Sequence, residues 1–131
     1  MAQVYAAEGS TEKSVPILFD KQDMKIVNNE TAEIIRIFND GFCHLSSLLN
    51  PPDLYPPSLA PIIDSLKGLI YPAINNGAYK AGFMLSMEAY KTTFHSYFDA
   101  LSFLNEKLRD SRFLTGNQVT EAEQHLFSTL V

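Results

Sequence analysis

Between Asn50 and Pro61 the chain places five prolines in twelve residues, at Pro51, Pro52, Pro56, Pro57 and Pro61. Each proline lacks a backbone N–H and fixes its own φ, and each restricts the residue before it. No helix interior or central strand survives such a stretch. It reads as a loop that divides the chain into an N-terminal part over residues 1–49 and a C-terminal part over 50–131. With 131 residues and 46% apolar content, the chain has enough apolar surface to build a real core.

Ahead of the loop, Val15-Pro16-Ile17-Leu18-Phe19 is a short apolar run headed by a proline, a position that a strand tolerates. Lys21-Gln22-Asp23-Met24 is polar enough for a turn, and Lys25-Ile26-Val27 resumes the apolar run. Residues 15–29 are therefore expected to form an antiparallel hairpin. Two strands alone are marginal, so something must cover them. A helix should follow, with Asn28 or Asn29 as its N-cap and Glu30 and Glu33 near its first turn. Ile34, Ile35, Ile37 and Phe38 give that helix an apolar side, and Gly41 is expected to close it in the left-handed conformation.

Beyond the loop the pattern is helical. Leu59, Ile62, Ile63, Leu66, Ile70, Ala73 and Ile74 recur at helix spacing, with Pro72 predicting a kink or stop near Tyr71. Asn75-Asn76-Gly77 reads as a loop in which Gly77 supplies an unusual backbone angle. Met87, Tyr90, Phe94, Tyr97, Phe98, Leu101, Leu104 and Leu108 form the stripe of a longer helix and are expected to be core. Thr120 and Glu123 have the spacing of a capping box and announce a last helix.

Composition narrows the function. Ten Lys and Arg against fifteen Asp and Glu give a net charge of −5, and the cations are scattered singly. A clustered basic footprint for nucleic acid or an acidic membrane surface is lacking. No apolar run approaches the roughly 20 residues that cross a bilayer. Met1 to Ser14 shows no basic-then-apolar leader pattern. The one cysteine, Cys43, has no intramolecular disulfide partner. These features predict a mildly acidic cytosolic protein. Cys43-His44 is a poor zinc pattern, since His95 and His125 are distant in sequence. Cys43 itself, between Phe42 and His44 with Leu45 close by, is expected to be a buried or half-buried structural thiol.

Four segments, in order and at similar spacing, resemble glutathionyl-hydroquinone reductases of the glutathione transferase superfamily, its xi or omega-like branch. They are Val15-Pro16-Ile17-Leu18-Phe19-Asp20-Lys21, Ile26 through Arg36, Asn75 through Phe83, and Thr120 through Glu123 with Leu126 through Val131. The resemblance covers nearly everything from residue 15 onward. It implies a mostly α fold: a partial thioredoxin-like β-β-α piece, followed by an incomplete helical C-terminal domain of glutathione transferase type. The chain then reads as truncated at both ends.

The resemblance also implies chemistry. Such proteins bind glutathione and use a cysteine thiolate to attack a glutathionyl-quinol, which releases the quinol. A second glutathione then resolves the mixed disulfide. Val15 would pair its backbone with the glutathione peptide ahead of a cis Pro16. Glu30 would take the ammonium of the γ-glutamyl end, and Thr31 with the helix N-terminus would take the carboxylate. Tyr79 is the expected wall of an acceptor pocket for a quinol-type aromatic thioether, ahead of Tyr71 and Tyr90. The resemblance further implies a homodimer. Residues 1–14 are too few for the elements that carry the catalytic cysteine, so no catalytic residue and no metal ligand is assigned. The alternatives are a degenerate paralogue without catalysis and an unrelated helical interaction module.

Overall fold

The computed structural model describes Tyr5 and residues 14–131. The other residues of the 1–14 leader reading lie outside this range. Two compact units meet between Pro51 and Pro52, inside the proline-rich loop.

The first unit is built on a hairpin. Strand β1 (Leu18–Asp20) pairs antiparallel with β2 (Lys25–Asn28). Leu18 faces Asn28 and Phe19 faces Ile26, so Val27 is an extra residue on β2 and forms a bulge. Asp20 organises the turn: its carboxylate accepts the N–H groups of Gln22 at 2.7 Å and Asp23 at 3.0 Å. Met24 completes the reversal with φ at +53°. Helix α1 (Thr31–Gly41) follows and buries Ala32. Two expectations fail here. The N-cap is Glu30, which makes no side-chain cap bond; Asn28 reaches forward and accepts the Glu30 N–H at 2.7 Å. Gly41 is not left-handed; it lies inside α1, and the helix ends instead on Phe42 at φ −112°.

The second unit is helical. Helix α2 (Ala60–Ile70) starts with Pro61 in its first turn, where a missing N–H removes no helix bond. It presents Ile63, Leu66 and Ile70 to the interior. Burying each such side chain is worth roughly 1.5–3 kcal/mol. Pro72 has no N–H to donate to the turn before it, and the chain answers with a π turn over Tyr71–Asn75. The Asn76 N–H reaches back five residues to the Tyr71 carbonyl. Helix α3 (Asn76–Phe83) continues from it without a loop, so the expected Asn75–Gly77 connection is absent. Gly77 is helical and buried. Its role is close approach: a Cβ there would meet the Tyr97 ring at 3.4 Å.

Helix α4 (Met87–Arg109) is capped by Ser86, whose hydroxyl accepts the Ala89 N–H at 3.2 Å. Its expected core stripe is only partly core. Ala100 and Leu104 are buried, and Tyr97 and Leu101 pack against the cluster. Met87, Tyr90, Phe94, Phe98 and Leu108 are exposed, and Met87 keeps 69% of its surface in solvent. The stripe is wider than the surface that α2, α3 and the π turn can cover. The rings shield one another instead, with Phe94 and Phe98 centroids 4.5 Å apart.

Helix α5 (Glu121–Leu130) opens with the expected capping box, both halves formed. The Glu123 carboxylate accepts the Thr120 N–H at 2.7 Å and also the Leu114 N–H at 2.6 Å. That second bond fastens the turn closed by Phe113 and Gly116, where Gly116 has φ +116°. Ala122 and Leu126 complete the core with Leu66, Ile70, Ile74, Ala100, Leu104 and Leu114. Asn75 pins α5 to the π turn by donating to the His125 carbonyl at 2.9 Å and to the Thr129 hydroxyl.

Glu123→Ala strands two backbone donors, and at about 1–3 kcal/mol per unmet group the loss should be about 2–6 kcal/mol by urea unfolding. Thr120→Ser keeps the cap but deletes a buried methyl, so it should cost only about 1 kcal/mol. Gly77→Ala should be tolerated, its contact with Tyr97 offset by a helix-propensity gain of up to about 1 kcal/mol, whereas Gly77→Leu should unfold the unit. The Asp23 and then Gln22 N–H bonds hold the Asp20 carboxyl below the ordinary aspartate range, with Lys25 adding to the effect. A depressed native value means stabilisation that is present above the unfolded value and lost as pH falls through the folded one. The turn amides of Gln22 and Asp23 should therefore lose protection on acidification, and Asp20→Asn should flatten that dependence.

Candidate functional site

The residues expected to handle a ligand in the first unit gather at one end of the hairpin. Leu18 pairs with Asn28, so the residues before β1 run alongside those after β2. Val15 and Pro16 thus share an end with Glu30 and Thr31. The Val15–Pro16 peptide bond is cis, the isomer expected from the sequence resemblance. Val15 is exposed at 63%, and Pro16, Glu30 and Thr31 are exposed as well.

Local sequence explains why this tip is presented rather than consumed. Asn28 accepts the Glu30 N–H with Oδ1 and donates Nδ2 to the Glu33 carboxylate at 2.5 Å. That bond takes the N–H of the N-cap residue itself, and the Glu30 carboxylate makes no cap bond to the first turn. Thr31 is the first residue of α1, where backbone N–H groups lack helical partners and the helix dipole favours an anion. A carboxylate beside a helix N-terminus and a hydroxyl is a surface suited to a ligand carrying an ammonium and a carboxylate on one carbon.

Residues outside the expected set brace this end. Tyr5 is 2% exposed, and its hydroxyl meets both Ser14 and the Asn29 side chain. Asn29 was legible only as a possible cap. Tyr5 carried no local signal, because its partners lie nine and twenty-four residues away.

Tyr79 sits elsewhere, on α3 in the second unit, with 70% of its surface exposed. Tyr71 and Tyr90 are also exposed. A groove of about 790 Å³ in that unit is lined by Leu69, Ala73, His95, Asp99 and Phe103 among others, and Tyr79 does not line it. Cys43 corrects the expectation of a buried thiol: it is exposed, in a 3-10 turn directly after α1. Its S–H donates to the Asp40 carbonyl at 3.4 Å, at the C-terminal end of α1. Among the described residues no cluster of three His, Cys, Asp or Glu side chains could hold a metal ion. Among them, too, no helix is long and apolar enough to cross a membrane.

No family model matches the chain. Known proteins do. The glutathionyl-hydroquinone reductase YqjG of Escherichia coli is 49% identical over 118 residues, which cover 90% of this chain and 35% of that protein. The glutathione-bound structure of YqjG, described as a glutathione transferase homolog, superposes with a TM-score of 0.89 at 46% identity, over 98% of this chain and 42% of that one. The Xi glutathione transferase of Phanerochaete chrysosporium superposes with a TM-score of 0.86 at 38% identity, over 97% of this chain and 44% of that one. The chain therefore spans well under half the length of these relatives. Mostly helical, with one antiparallel hairpin, it belongs by sequence and by fold to the glutathione transferase superfamily, on its xi or omega-like branch.

Proposed function

We propose that Val15, Pro16, Glu30 and Thr31 form the glutathione-holding edge of a glutathionyl-hydroquinone reductase. On this reading residues 1–49 belong to a thioredoxin-like glutathione-binding domain and 50–131 to the helical domain. The Val15 backbone pairs with the tripeptide. Glu30 takes the γ-glutamyl ammonium, and the α1 N-terminus with the Thr31 hydroxyl takes the adjacent carboxylate. The observation that carries the reading is the tip itself, where the exposed Glu30 carboxylate stands at the N-cap and makes no cap bond to the first turn of α1. Relatives whose names and structures specify glutathione support it.

The reaction is the reduction of a glutathionyl-quinol. A cysteine thiolate attacks the glutathione sulfur, the carbon–sulfur bond to the ring breaks, and the ring takes up a proton as the free quinol. A second glutathione then attacks the mixed disulfide, giving glutathione disulfide and the free thiolate. Cys43 does not fill that part, since its thiol is spent on a carbonyl at the wrong end of a helix. This chain alone is accordingly expected to be inactive. Tyr79 offers a ring and a hydroxyl on the acceptor side for an aromatic thioether. The reading extends to a pair of copies acting in the cytosol.

Calorimetry of the full chain should detect glutathione at millimolar concentration. Glu30→Gln and Thr31→Val should each weaken it, Glu30→Gln by roughly tenfold or more, as a lost charged contact of about 1.5–3 kcal/mol requires. Absence of binding by the unmodified chain would overturn the glutathione reading. Turnover of a glutathionyl-hydroquinone that disappears in Cys43→Ser would overturn the assignment of Cys43 as a bystander.

A further inference from the structure

We infer that Tyr5 is a positioning residue that locks the two halves of the proposed glutathione edge together. The inference rests on the reading above and adds a residue that it does not contain. One half of the edge is the Val15–Pro16 segment, and the other is the Glu30–Thr31 tip. They come from different stretches of chain and touch different parts of the ligand. Short strands with a bulge hold them in common register only loosely, since just Leu18 pairs with Asn28 beyond the bulge.

The Tyr5 hydroxyl supplies a link where the ladder has ended. It donates to the Ser14 carbonyl at 3.1 Å, one peptide away from Val15. It lies 3.1 Å from the Ser14 hydroxyl and accepts from Asn29 Nδ2 at 3.4 Å, one residue before Glu30. A phenol has one hydrogen to give and lone pairs to receive with. One donation to the carbonyl, with acceptance from the Ser14 hydroxyl and from the Asn29 amide, uses that capacity in full. The ring is anchored as well as the oxygen, since Tyr5 is 2% exposed. A buried ring fixed in position holds its hydroxyl still, and the hydroxyl holds the segments before β1 and after β2 at a set spacing. Tyr5 touches neither ligand half itself. Its effect is on whether one ligand meets both halves at once.

This role separates from plain stability through the choice of ligand. Glutathione spans both halves, whereas γ-glutamyl methylamide carries only the head that the Glu30–Thr31 tip would hold. Tyr5→Phe keeps the ring and removes the link. It should weaken glutathione about three- to tenfold, the size of one lost neutral hydrogen bond, and leave γ-glutamyl methylamide within about twofold. Ser14→Ala, at an exposed position, removes one arm without touching the buried ring. It should give a smaller loss in the same direction even if Tyr5→Phe folds poorly. Equal weakening of both ligands by these variants would overturn the inference, because a general loosening does that.

A ligand-free arm separates this inference from the glutathione reading. In amide NMR spectra, Tyr5→Phe should shift both the Val15 backbone signal and the Asn29 side-chain signal. If both shift while the unmodified chain binds no glutathione, the link stands and the ligand assignment falls. If only one shifts, or neither, the link itself is refuted.

Discussion

Asn28 is the residue on which the geometry of the N-terminal unit turns. It is the last residue of β2, it pairs with Leu18, and its side chain reaches both the Glu30 N–H and the Glu33 carboxylate. A strand and a helix differ in direction, and the corner between them is normally where backbone groups go unmet. Here a single amide settles the corner with one acceptor and one donor. That acceptor takes the N–H of the N-cap residue itself, and no side-chain cap bond is made to the first turn of α1. An acidic side chain can then stand at the N-cap and point at solvent, close to free N–H groups of the first turn. The chemistry attributed to Glu30 and Thr31 depends on that arrangement.

The helical unit solves a different problem, the presence of proline within a continuous apolar run. Pro72 would stop an α-helix, yet Ile70 and Ile74 must both face the same core. The π turn widens the helix by one residue per turn locally, which lets the chain pass the proline and resume α3 without leaving the core. The widened turn also frees Asn75 to donate sideways to α5. Gly77 then lets Tyr97 come close. An apparent defect in the sequence thus becomes the junction at which four helices meet.

Much of this was legible beforehand, and the misses share a cause. Signals confined to a few residues read correctly: the Lys21–Met24 turn, the Thr120–Glu123 box, and the break near Tyr71. Family resemblance supplied what local patterns could not, namely the fold and the cis Val15–Pro16 bond. Positions whose state depends on a distant neighbour misled. Gly77 looked like a turn residue, because sequence cannot show Tyr97 lying against it. Tyr90, Phe94 and Phe98 looked buried, because periodicity marks an apolar face but not what covers it. Gly41 and Cys43 were misread through the same blindness to context, and Tyr5 was invisible because its partners are remote.

The double duty of Glu123 ties two pieces of backbone into a single cooperative unit. One oxygen serves the start of α5 and the other serves Leu114 in the preceding turn, so neither piece can fray while the other stays intact without leaving a donor unmet. Ordinarily a helix end is the first place a domain opens. In this protein the first turn of α5 opens only as far as the 113–116 turn lets it.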